Sequence, residues 1–242
     1  MRRLLLSLIT VLSLSPVARG DAYRPLDHLW KGTRDLVRTD SLVLLGAGTV
    51  ATIAAMTQDD DVKDYFDGKD RLGGIEKFGN FWGTGIPGAG LAVSFLGYGL
   101  LSEKDFFVQA GEAHLEALAV STAVVFGMKY SVRRPRPNNG ARESFPSGHT
   151  SMAFATAGNM WGMHGPAAGI PAIGLGMLTA ASRMAVSMHY LSDTVAGATL
   201  GFVIGYAFTQ HHQQSNPGRI SFLPYFEDRS HFGFILSIKG DS

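Results

Sequence analysis

The 242-residue chain contains no cysteine, which removes disulfides, thiolate metal ligands and cysteine nucleophiles from consideration. Charge is sparse: 17% of residues are Asp, Glu, Lys or Arg, and they balance to a formal +1, which gives nucleic-acid binding no support. Although there are 30 glycines, none opens a Gly-Lys-Ser/Thr phosphate loop. The Asp59-Asp60-Asp61 run lacks the alternating order of a calcium loop and reads as the start of a solvated, charge-rich stretch reaching Lys77. No metal site is expected, and no repeat or low-complexity tract is present.

What is abundant is apolar sequence broken by glycine and proline. The amino end has a charged Met1-Arg2-Arg3, an apolar run from Leu4 to Leu14 and small residues up to Gly20, the pattern of a signal peptide over residues 1–20, with an uncleaved anchor as the rival. A polar lead-in follows over 21–40. Residues 41–212 read as one all-α domain, a helical bundle of about five or six main helices, and 213–242 as a tail. The helices are expected at 41–58, 80–102 and 106–128, as a hairpin over 150–182 broken at 162–166, and from about Ser192 to Gln210. Two alternating runs in the tail, 220–225 and 232–238, suit a small β-hairpin with no assigned function.

The chemistry gathers in three clusters: Lys129 to Pro137, Pro146-Ser147-Gly148-His149, and Ser182-Arg183 to His189 and Asp193. A phosphomonoester is almost doubly charged, so its site needs cations and N–H donors around the equatorial oxygens; Lys129, Arg136 and Arg183 can supply the charge. Ser147 and Gly148, ahead of a helix expected near Thr150, suit close backbone approach to an anion. His149 and His189 are the candidates for proton transfer and attack near neutral pH. On a helix, His189 and Asp193 would share a face, so the carboxylate could hold one ring nitrogen and leave the other to attack. Arg183 and His189 would lie about 120° apart on a continuous helix, which predicts a break between them. The hairpin returns the chain, bringing its start and end together at one end of the bundle. Arg133, Arg134 and Arg142 fall outside the pattern and read as a diffuse positive field.

Taken singly, these clusters are a basic loop, a turn and an ordinary helical pair. Together, the order Lys-x6-Arg-Pro, Pro-Ser-Gly-His and Ser-Arg-x5-His-x3-Asp resembles the signature of the type 2 phosphatidic acid phosphatase and vanadium haloperoxidase superfamily, in its lipid phosphatase-like branch. The resemblance implies His189 as a nucleophile forming a phosphohistidine, Asp193 orienting it, and His149 protonating the leaving oxygen. It implies Lys129, Arg136, Ser147, Gly148 and Arg183 as phosphate ligands, with no cofactor or metal. The expected activity is hydrolysis of a lipid-linked phosphate or pyrophosphate. Two alternatives use the same residues: a haloperoxidase with vanadate in the phosphate site, or a non-catalytic envelope protein that keeps the fold.

Membrane association is expected from the apolar segments, with a lipid phosphate as partner, no nucleic acid, and the site facing the periplasm or exterior; the rival is a soluble periplasmic bundle. The mean hydropathy of +0.10 is modest for many spans. A cleaved signal followed by three crossings before Lys129 would also put the site inside, in conflict with an exterior one. The sequence leaves oligomeric state open.

Overall fold

The computed structural model describes residues 30, 32–68, 70–138, 140–214, 220–228 and 231–238. The expected signal peptide at 1–20 and half of the lead-in at 21–40 lie outside the described residues. After a helical turn at 32–35 come α1 (Thr39–Met56), α2 (Asp59–Phe66), α3 (Ile75–Trp82), α4 (Ile86–Leu101), α5 (Asp105–Val132), α6 (Gly148–His164), α7 (Pro166–Ala185) and α8 (Leu191–Gln214). This is the expected all-α bundle, with a few more helices than anticipated. In the tail, β1 (Ile220–Asp228) and β2 (His231–Ile238) pair antiparallel, with Ile220 opposite Ile238.

Three expectations need correction. Residues 59–77 are not simply a loop: the triple aspartate opens α2, where negative side chains complement the positive helix end, and Asp59 is buried. The uncharged run 80–102 is not one helix either. It breaks after Trp82, where Gly85 takes a left-handed φ of 82° that other residues rarely adopt, and α3 and α4 meet at a 55° bend. Pro87 sits in the first turn of α4, where its missing N–H costs nothing. Helix α5 runs past the expected Met128 to Val132, because the first obstacle is Pro135, which disfavours helical backbone at Arg134.

The core forms where apolar faces of α4, α5 and α6 meet, through Ala92, Leu96, Leu115, Leu118, Met152 and Ala155. A second cluster joins α5 to α8 through Ala117, Ile204 and Phe208. Helices α6 and α8 approach so closely that a Cβ on Gly201 would lie 2.1 Å from the Ser151 carbonyl oxygen, and one on Gly205 equally close to that of Ala155. This small-residue stripe sets the spacing of the two helices whose first turns face the site.

Two buried polar residues of α5 find partners on neighbouring helices. His114 on α5 meets Thr156 at 2.9 Å, and Glu116 meets His212 at 2.9 Å. These residues therefore face the interior rather than lipid. Helices α1, α5 and α8 are long and apolar enough to cross a membrane, and the bent α3–α4 pair makes a fourth candidate. Leu42, Val43, Val50 and Ile53 of α1 point outward, an apolar surface that suits acyl chains and supports membrane association. His211 bonds Asp35 at one end of the bundle, whereas Met56 adjoins Arg134 at the other, so α1 runs the length of the molecule.

Candidate active site

Four helix ends converge at one end of the bundle: the last turns of α5 and α7 and the first turns of α6 and α8. Between α5 and α6 the chain crosses the site as the loop 133–147, and between α7 and α8 as 186–190. His189 lies in this second loop rather than on a helix, because α7 stops at Ala185; the break expected between Arg183 and His189 is present.

The imidazole of His189 is held differently from expectation. Its Nδ1 lies 2.7 Å from the main-chain carbonyl oxygen of Ser144 and 3.8 Å from the nearer Asp193 oxygen, beyond hydrogen-bonding reach. A carbonyl can only accept, so Nδ1 carries the proton and Nε2 keeps its lone pair. Asp193, with no exposed surface, accepts from the Ser144 hydroxyl at 2.5 Å, the Tyr190 N–H at 2.9 Å and Arg134 Nη1 at 2.8 Å. Its own carbonyl accepts from the Ser147 N–H at 2.9 Å, which ties the Pro-Ser-Gly-His turn to α8.

The cations come from three elements. Lys129, buried in the last turn of α5, donates from Nζ to the Glu143 carbonyl. Arg136 reaches the Met188 sulfur at 3.3 Å and lies 3.7 Å from the Glu143 carboxylate. Arg183, at the end of α7, donates to Asn80 Oδ1 on α3 at 2.7 Å, and Asn80 in turn donates to Glu76. Among the described residues, Nε of both Arg136 and Arg183 is buried without an acceptor. Buried donors of this kind are costly unless an acceptor arrives, which suits an anion site.

Ser147 is the N-cap of α6, its hydroxyl accepting from the Thr150 N–H. The first N–H groups of this helix have no acceptor within it and add positive partial charge. His149 is next in the turn; a Cβ on Gly83 would come within 2.7 Å of the His149 Cβ, so the α3–α4 elbow closes that side. Burial, followed by the charges of Arg183, His189, Lys129 and Arg136, pushes His149 down to about 3. Burial likewise pushes His189 down to about 4, with Lys129 and Arg183 adding to the effect and Asp193 opposing it. Both rings are neutral at pH 7, and two negative charges placed among these cations would raise both values.

The eight residues proposed from sequence thus converge. Three participants were not among them. Ser144 holds the ring, Asn80 holds Arg183, and Asp59 accepts from Ser192 N–H at 2.9 Å, Ser192 Oγ at 2.7 Å and Arg134 Nη2 at 2.8 Å. Arg134 also departs from the diffuse role expected of it: it bridges Asp59 and Asp193, which outweigh its partial burial and raise its pKa. A surface hollow lined by Met56, Asp60, Val132, Phe145 and Tyr190 reaches Asp59 and Arg134 but neither imidazole. Among the described residues no cluster of carboxylate and imidazole groups could hold a metal ion.

Residues 113–217 match the sequence profile of the PAP2 superfamily. A lipid A 1-phosphatase of Porphyromonas gingivalis is 35% identical over 94 residues, covering 36% of this chain and 21% of the relative. A lipid A 4'-phosphatase of Helicobacter pylori is 29% identical over 114 residues, covering 41% of this chain and 58% of the relative. The chain therefore spans about a fifth of one relative and somewhat over half of the other. The crystal structure of a transmembrane PAP2 type phosphatidylglycerolphosphate phosphatase from Bacillus subtilis superposes with a TM-score of 0.55 at 17% identity, covering 80% of this chain and 98% of that one.

Proposed function

We propose that this chain, whose residues 113–217 match the PAP2 superfamily profile, is a membrane-associated phosphatase cleaving the phosphate of an envelope lipid by way of a phosphohistidine. The observation that carries this reading is the His189 ring, held in one tautomer by the Ser144 carbonyl within a cradle of Lys129, Arg136 and Arg183.

In the proposed reaction the phosphate lies among these cations and the first N–H groups of α6, which neutralise its equatorial oxygens. Nε2 of His189 attacks phosphorus with its lone pair, and the bond to the lipid oxygen breaks. The developing alkoxide takes a proton from His149, which becomes protonated when the substrate's negative charge enters its field. The phosphohistidine keeps its Nδ1 proton on the Ser144 carbonyl. Water then attacks phosphorus and gives a proton to His149, releasing inorganic phosphate and restoring the neutral His189 ring. Every step uses the chain's own groups, so activity is expected to persist in a chelator.

The names of the two curated relatives support lipid A phosphate as the substrate to test first, beside phosphatidate and undecaprenyl pyrophosphate. The site is proposed to face the periplasm or exterior. The test is phosphate release from these three lipids in EDTA by the wild type, His189→Ala and His149→Ala, with acid-labile labelling of His189 as the signature of the intermediate. Activity should fall by about three or more orders of magnitude in His189→Ala. Undiminished turnover in that variant would end the reading.

A further inference from the structure

We propose that Arg134 and Asp59 are positioning residues that fix the His189 imidazole through Asp193 and Ser144. The inference rests on His189 as the attacking group, but it concerns residues outside the motif pattern, one of them outside the matched segment 113–217.

The path begins at the ring. Since Asp193 lies 3.8 Å from Nδ1, it cannot orient the imidazole by direct hydrogen bonding. Ser144 connects them, with its carbonyl accepting a hydrogen bond from Nδ1–H and its hydroxyl donating to Asp193 Oδ2. The position of Ser144 thus follows that of the carboxylate, and the carboxylate is fixed by Arg134. One nitrogen of this guanidinium donates to Asp193 Oδ1 and the other to Asp59 Oδ2, each at 2.8 Å, while the plane rests 4.2 Å above the Tyr190 ring.

Asp59 completes the frame. Only 5% exposed, it also accepts from the N–H and hydroxyl of Ser192, the residue before Asp193. One carboxylate therefore sets both the backbone at the start of α8 and the rotation of the fork that grips Asp193. A planar fork can hold two carboxylates at once in fixed geometry; a lysine ammonium cannot reproduce that grip. Buried ionic groups in a fully bonded chain favour one arrangement over its alternatives, here one ring orientation with Nε2 aimed into the cradle.

The test uses the full-length protein in detergent with two readouts. The first is kinetics on the lipid phosphate that the wild type hydrolyses, comparing Asp59→Asn, which keeps the shape, Asp59→Ala and Arg134→Lys. We expect kcat to fall about tenfold to a hundredfold with KM changed less than about threefold, and millimolar guanidinium to restore part of kcat in Arg134→Ala. The second is the nitrogen NMR signature of His189, expected as a single Nδ1–H tautomer in the wild type and as a mixture in Asp59→Ala and Arg134→Lys. If Asp59→Ala does not fold, Asp59→Asn carries both measurements. A lower melting temperature with unchanged kcat per folded molecule and an unchanged tautomer overturns the proposal. A wild type that releases no phosphate defeats the functional reading instead, and the tautomer comparison then decides the positioning on its own.

Discussion

Arg183 of α7 donates a 2.7 Å hydrogen bond to the side-chain oxygen of Asn80, a residue 103 positions earlier on the bent arm α3. This contact joins the cluster of cations around His189 to a helix outside the matched segment. It uses one nitrogen of the guanidinium and aims the rest, including the unpartnered buried Nε.

Asn80→Ala should therefore weaken phosphate binding more than chemistry. We expect KM to rise about threefold to tenfold with a smaller change in kcat, because Arg183 stays charged but loses its aim. Steady-state kinetics with a lipid phosphate check it; an unchanged KM means that Asn80 does not set the fork.

The imidazoles give the protein a defined pH response. Burial lowers His149 to about 3 and His189 to about 4, below the unfolded value of about 6.5. Between these values the unfolded chain binds more protons than the folded one. This contribution to stability is complete above about pH 6.5 and is lost as pH falls through about 4. Melting temperature in detergent should decline over that window, with a shallower decline in His149→Gln. Added phosphate should draw a proton into the site near pH 6, seen as proton uptake in buffers of differing ionisation heat. Identical heats in all buffers would contradict the assigned directions.

Close approach of α6 and α8 makes Gly201 a sensitive position, since a methyl there would meet the Ser151 carbonyl at 2.1 Å. Gly201→Ala should destabilise the protein by about 1–3 kcal/mol through forced separation of the helices. Gly46→Ala is the control, because a Cβ at Gly46 meets nothing within 4 Å. Equal melting temperatures for the two variants would count against the packing account.

The lack of cysteine makes orientation directly measurable. Arg142→Cys lies exposed in the loop over the site, and Glu103→Cys lies exposed between α4 and α5 at the other end. In intact cells an impermeant maleimide should label the first and not the second. The reverse pattern would put the site in the cytoplasm.

Much of the site was legible because its motifs are local: Pro135 ends helical backbone, Ser147 caps α6, and Gly165 with Pro166 divides the hairpin. The remaining participants depend on partners far away in sequence. Asp59 resembled Asp60 and Asp61 until Ser192 and Arg134 were brought to it, and Arg134 resembled Arg133 and Arg142 until Asp193 was. Ser144 holds the ring through its main-chain oxygen, which every residue possesses, so no side-chain pattern could announce that contact. The bend after Trp82 was concealed for a related reason, because an uncharged run looks continuous whether or not a glycine turns the backbone within it.

The 55° elbow between α3 and α4 turns the eight-residue arm before it onto α7, where Thr179 donates to the Gly79 carbonyl and a Cβ on Gly79 would lie 2.2 Å from the Ser182 hydroxyl. The arm that carries Asn80 is thus wedged against the helix that carries Arg183, and a residue larger than glycine at position 79 would displace both together.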